Sequence, residues 1–223
     1  MRETLSRRLC ALITEGVFKP GDRITERELC ERLKASRPSI RETLRQLEAE
    51  GLLDIYPNRG AVVRTLSVAT VLEIWEIRLA LETLIAERFA RHGTPEQIER
   101  FENSIGHMDA ALRSKDRTRI KAAKSAMFEA FASGGNNEML AAYFRQINVR
   151  ISFLWSSSLM VPGRPAESIG ELQALLTAIK NRNPEAARAA VVLYNEHAKA
   201  IGMYGLRVFE ERKEVERANP RKR

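Results

Sequence analysis

Apolar positions recur along most of the chain at three- and four-residue spacing, the period that puts them on one face of an α-helix. Leu5, Leu9, Leu12 and Ile13 line one face of a predicted helix over residues 3–15. Gly16 and then Lys19-Pro20-Gly21-Asp22 turn the chain. Thr25-Glu26-Arg27-Glu28 has the capping-box pattern. In it a Thr oxygen accepts the backbone N–H three residues on, while the Glu carboxylate reaches back. A short helix through Leu29 and Leu33 should follow. Ser36-Arg37-Pro38-Ser39-Ile40-Arg41-Glu42 opens a third helix, on which Ile40, Leu44 and Leu47 form the buried stripe. Ser39, Arg41, Thr43 and Arg45 then lie mostly off that stripe, and Gly51 ends the helix.

The period then changes. Leu52 to Tyr56 and Ala61 to Arg64 are short apolar or β-branched runs on either side of Pro57-Asn58-Arg59-Gly60, a strong turn sequence, and together predict one β-hairpin. From Leu66 onward the helical period returns, in Val68, Val71, Leu72, Trp75, Leu79, Leu81, Ile85 and Phe89, and stops near His92-Gly93. Thr94 as N-cap with Pro95 at the first helical position restarts it. Asp116 opens the next helix, and Ser133-Gly134-Gly135-Asn136-Asn137 breaks it. Further helices are expected over residues 138–158 and 167–180, with a loop at 161–165 between them. Asn183-Pro184 opens the last, which runs past Tyr204. The expected fold is mostly α: a winged helix-turn-helix over residues 1–66, followed by an all-α bundle of six helices over residues 67–223.

Helix, helix, tight turn, helix, hairpin is an arrangement that reads DNA, with the third helix in the major groove. Arg has the fork that matches guanine O6 and N7. Ser36, Ser39 and Thr43 can bond phosphates or bases, and Arg59 at the hairpin tip can reach the minor groove or a phosphate. Taken one by one, such arginines read as solvated charges on an amphipathic helix. Taken with the cap, the turn and the wing, they predict a nucleic-acid interface.

Charge adds little to this. The 223 residues carry 37 Lys+Arg against 29 Asp+Glu, a net charge of +8. Only +3 of it falls in residues 1–66, and +3 of the remainder sits in the tail from Arg207. No apolar run approaches the length of a membrane span, the opening Met1-Arg2-Glu3 is too charged for a signal peptide, and two cysteines, Cys10 and Cys30, make no disulfide framework. The expected location is the cytoplasm, with no membrane partner.

Several stretches carry a resemblance. Gly16-Val17-Phe18-Lys19-Pro20-Gly21, Thr25-Glu26-Arg27-Glu28-Leu29, Ser36-Arg37 with Ile40-Arg41-Glu42-Thr43-Leu44, Leu47 through Leu52, and Pro57-Asn58-Arg59-Gly60-Ala61-Val62-Val63 resemble the GntR family of bacterial transcription regulators. The resemblance implies DNA contacts from Arg27, Arg37, Arg41 and Gly60. It departs at Pro38 and Ser39, where Thr and Pro are usual, a change expected to shift the helix start. Glu76 to Glu82 and Asn183 to Ala190 resemble the opening and closing helices of that family's FCD-type effector domain. A ligand-responsive regulator is implied, with a homodimer on a palindromic double-stranded operator, a small organic acid as effector, and repression as the usual sign.

Many FCD domains hold a divalent metal through an Asp or Asn, a His four residues later and two further His. Aligned on the resemblance, these positions fall on Lys124, Phe128, Leu172 and Tyr194. A one-residue shift gives Ala123 and Met127 for the first pair. Neither set holds such an ion, so no metal and no cofactor is expected. Lys124 or Tyr194 could serve an anionic effector in the metal's place, or face solvent and core respectively. Arg78 and Arg150 are further candidates for a carboxylate, although Arg78 is also spaced for a helix-surface ion pair with Glu82. An enzyme or carrier built on the bundle is the competing class. His92, His107 and His197 are scattered, and neither a metal-hydrolase spacing nor a Gly-rich phosphate loop occurs, so no catalytic residues are expected.

Overall fold

The computed structural model describes residues 2–14, 16–56, 60–151 and 164–218. They fall into two units. The first runs to Leu72 and takes in the segment beginning at Asn148. The second holds the described residues from Glu73 to Ile147 and from Arg164 on.

In the first unit, α1 (Arg2–Thr14) packs on α3 (Arg37–Ala49), with α2 (Glu26–Leu33) beside it. Leu9, Leu29, Ile40 and Leu47 meet there with no exposed surface, which is the expected apolar stripe. Strands β2 (Leu53–Tyr56) and β3 (Gly60–Val63) pair antiparallel as the predicted hairpin. A third strand was not expected: β1 (Arg23–Ile24) pairs with the other edge of β3, giving the order β1-β3-β2. Two residues are too few to show a period. Only pairing to β3, nearly forty positions away, makes them a strand, and it buries Ile24 completely.

The caps fix where the helices point. Thr25 Oγ1 accepts the N–H of Glu28 at 3.2 Å, as the capping pattern requires. The return half is not made, because the Glu28 carboxylate turns to Arg32 at 3.7 Å. Ser36 caps α3, its oxygen facing the Ser39 N–H at 3.4 Å and the Ser39 hydroxyl at 2.9 Å. Pro38 then sits in the first turn, where a missing N–H costs no hydrogen bond. The unusual Pro-Ser order is accommodated within the cap. Gly51 follows α3 at φ +79°, a left-handed residue that closes the helix.

Among its described residues the second unit consists of helices joined by short turns, with no strand. It contains most of α4 (Val68–His92), α5 (Pro95–Ser114), α6 (Arg117–Gly134), most of α7 (Glu138–Ile151), α8 (Arg164–Lys180) and α9 (Pro184–Ala218). Thr94 and Gln97 form a complete capping box on α5, and Asp116 caps α6. The expected stretch of α7 beyond Ile151 lies outside the described residues, as does Trp155. Helix α8 starts at Arg164, three residues before the expected Glu167. Pro165, expected in a loop, sits in the first turn instead, where proline is tolerated. Phe89, Phe101, Phe131 and Phe144 form the aromatic centre, with successive ring centroids 5.7 to 6.1 Å apart. No described helix is long and apolar enough to cross a membrane.

Candidate DNA-reading face and buried polar centre

Helices α2 and α3 cover the core with their apolar stripes, so their other residues face outward. Arg27, Arg37, Arg41 and Arg45 are all exposed, as is Ser36, and Ser39 is half-buried. The Arg41 Nε donates to Glu26 Oε1 at 2.8 Å. This bond, and then the charge of Glu26, holds Arg41 above its ordinary pKa. The guanidinium is cationic at any working pH, and the contact steers it across the α2–α3 turn. Thr43 departs from expectation. It lies on the buried side, 3% exposed, with its hydroxyl donating to the Ser39 carbonyl at 2.8 Å. Its hydroxyl is engaged by the backbone of its own helix, on the buried side with Leu44. Gly60 is half-buried with φ +80°, and a Cβ there would stand 2.9 Å from the Ile24 carbonyl oxygen. Pairing with β1 therefore demands glycine at this position whether or not DNA touches it. Arg59 lies outside the described residues.

The effector candidates divide. Arg78 is fully buried on α4. Its Nε lies 2.8 Å and its Nη2 2.7 Å from Glu82 Oε1, one turn on. The ion pair suggested by the spacing is formed, but inside the unit rather than on its surface. Arg78 also stacks on Trp75 at 4.8 Å and on Phe128 at 5.2 Å from the ring centroids. The second Glu82 oxygen accepts from Asn195 Nδ2 on α9. Asn195 Nδ2 also donates to the Val191 carbonyl at 3.1 Å, so both neighbours are acceptors and the amide orientation is settled. Asn195 Oδ1 is buried with no hydrogen-bond partner among the described residues. The sequence reading missed Asn195. Its signal was a polar residue on the buried stripe of Ala187, Val191 and Ala198.

Lys124 is half-buried, its Nζ 5.7 Å from the Phe128 ring centroid, so the same ring meets two cations. Leu172 and Tyr194 are buried within the apolar core of the unit. Arg150 does not join this group. It belongs to the first unit, where its Nε donates to the Glu50 carbonyl at 2.9 Å and its guanidinium covers Gly51. It satisfies a carbonyl at the end of α3 and is removed from the effector set.

The four positions assigned to a metal by the resemblance do not fit one. Leu172 has no donor, Phe128 offers a ring already facing cations, and Lys124 would repel a divalent ion. Among the described residues no three His, Cys, Asp or Glu side chains gather into a metal site. His197 pairs with Glu171 at 2.5 Å across α8 and α9.

Comparison with known proteins agrees with this architecture. The profile for bacterial regulatory proteins of the gntR family matches residues 1–63, and that for the FCD domain matches residues 73–197. The chain is 28% identical over 187 residues to the uncharacterized HTH-type transcriptional regulator YdhC of Bacillus subtilis (strain 168), covering 83% of this chain and 84% of that one. It is 32% identical over 103 residues to the HTH-type transcriptional repressor RspR of Escherichia coli (strain K12), covering 46% and 45%. The fold matches that of E. coli McbR/YncC with a TM-score of 0.82, at 22% identity, over 91% of this chain and 96% of that one. A winged helix with an arginine-bearing third helix, followed by an FCD bundle, places the chain in the GntR family of HTH-type transcriptional regulators, among those with an FCD domain.

Proposed function

We propose that the protein is a homodimeric repressor in which residues 1–66 read a palindromic operator and residues 67–223 dimerise and bind a small organic acid. The observation that carries the DNA reading is the set of exposed guanidinium groups at Arg27, Arg37, Arg41 and Arg45 on α2 and α3. Ser36, Ser39, Gly60 and Arg59 complete the proposed contact set, and Thr43 leaves it. Two readers on a palindrome require two-fold symmetry. Repression follows the usual sign in the family and matches the similar transcriptional repressor RspR.

Arg41→Ala should weaken specific operator binding by about 1–3 kcal/mol with the fold intact. Thr43→Val should leave binding unchanged. A salt-resolved gel-shift titration on the promoter beside the gene checks both. Undiminished binding by Arg41→Ala would remove α3 from the major groove.

The effector reading rests on Arg78, Lys124 and Phe128 beside the Glu82–Asn195 pair. Cations suit a carboxylate, and Asn195 Oδ1 suits a hydroxyl or amino donor on the same molecule. Effector binding would shift operator affinity by about 1–3 kcal/mol, the usual size of such coupling. Thermal-shift screening of hydroxy and amino acids on the full chain tests this. Without a metal in the effector centre, treatment with a chelator should change neither melting temperature nor operator affinity. A stoichiometric metal found by elemental analysis would refute the metal-free reading.

A further inference from the structure

Four arginines face outward from α2 and α3, and one of them is tethered. Among the described residues Arg27, Arg37 and Arg45 make no ion pair, whereas Arg41 Nε donates to Glu26 Oε1 at 2.8 Å. Glu26 is the first residue of α2, directly after the Thr25 cap, and Arg41 stands just over one turn into α3. The Arg41 side chain keeps 62% of its surface exposed and that of Glu26 32%, so the pair adds little to stability. A carboxylate at the start of α2 suits the helix dipole, but Glu28 already supplies one in the same turn. On a face that meets phosphates, a negative charge also works against affinity. Neither stability nor attraction to DNA accounts for Glu26.

Geometry does. Arginine carries five N–H donors in a planar fork. The bond from Nε fixes one edge of that plane and leaves Nη1 and Nη2 for two acceptors side by side, the pattern of guanine O6 and N7. An untethered arginine loses more rotamer freedom when it binds. We infer that Glu26 is a positioning residue for sequence reading: it presents the Arg41 fork to a guanine in the major groove, raising discrimination between sequences while lowering attraction to DNA at large. This rests on the reading of α3 proposed above and names what makes one of its arginines selective. The two effects have opposite signs, so one experiment separates them.

Fluorescence anisotropy on the full chain compares a duplex of the promoter beside the gene with a duplex of the same composition in scrambled order. Glu26→Asp keeps the charge and the helix dipole contact but draws the carboxylate back by one methylene. It should lower the ratio of the two affinities by about tenfold, toward the low end of what one bidentate pair supplies, with scrambled binding unchanged. Glu26→Gln keeps an oxygen for Arg41 Nε and loses the charge. It should retain most of the ratio and bind scrambled DNA more tightly. In an Arg41→Ala background Glu26→Asp should leave the ratio as it is, because the group to be positioned is gone. Circular dichroism and melting temperature accompany each variant. An unchanged ratio in Glu26→Asp overturns the inference, whatever the melting temperature does. The reading of α3 then stands if Arg41→Ala alone still lowers the ratio, and falls if it does not. A parent chain that binds both duplexes alike overturns the reading and the inference together.

Discussion

Arg78→Met should destabilise the helical domain by about 3–5 kcal/mol, although it removes a charge from an apolar surrounding. The reason is what remains. Glu82 is 1% exposed, and Arg78 supplies it with a cation and two short contacts. Without Arg78, the carboxylate keeps only the amide of Asn195 from this group and must be buried nearly uncompensated or take up a proton. The stacking of the guanidinium between Trp75 and Phe128 is lost as well. The double variant Arg78→Met/Glu82→Leu should recover most of the loss, because a hydrophobic pair of similar volume pays no desolvation cost. Urea denaturation followed by the fluorescence of Trp75, which belongs to this unit, in a Trp155→Phe background, resolves it. A loss under about 1 kcal/mol for the single variant would mean that the pair stays hydrated in solution.

Phe89→Ala should cost a similar amount, about 3–5 kcal/mol, by a different route. Phe89 has no exposed surface and stacks at tilted angles on Phe101 and Phe131, with centroids 5.7 and 6.5 Å away. Two glycines are fitted to its ring. A Cβ at Gly93 or at Gly134 would stand 2.3 Å from a Phe89 ring carbon. Two of its neighbours are glycine backbone, which collapses poorly into a void, so the cavity term should be near the top of its range. Gly134→Ala should be destabilising for the converse reason, overpacking against the same ring. The same denaturation curves give both values, and operator binding at low temperature should persist in each, because the reading face belongs to the other unit.

The two variants probe opposite kinds of sequence legibility. Phe89 was placed in the core by its spacing from Trp75, Leu79, Leu81 and Ile85. The ring between Gly93 and Gly134 was not foreseen. Those glycines read as helix terminators, and only their approach to one side chain shows the second role. For Arg78 the sequence left two readings open, a pocket residue for a carboxylate and a surface ion pair with Glu82 by the ordinary rule for i, i+4 charges; the pair forms, but buried. That rule carries no information about what covers the helix. Thr43 lies on the buried side for a related reason, because a stripe boundary read from apolar spacing is uncertain by about one residue. The bond of Arg150 to the Glu50 carbonyl depends on a segment far away in the sequence.

The chain's local chemistry was enough to determine the helices of the first unit, the cap at Thr25, the wing hairpin and the change of period after it, and the caps at Thr94 and Asp116 in the second unit. These depend on side chains and backbone groups within a few residues of one another. The exposed arginines of α2 and α3 follow too, since one stripe of each helix must be buried. Other features needed partners far away in the sequence. Ile24 becomes a strand residue only beside Ala61, Glu82 meets Asn195 113 residues on, and Arg150 finds a carbonyl 100 residues back. Whether a polar side chain is solvated, paired or buried is decided by what the fold lays against it, and no local pattern encodes that neighbour.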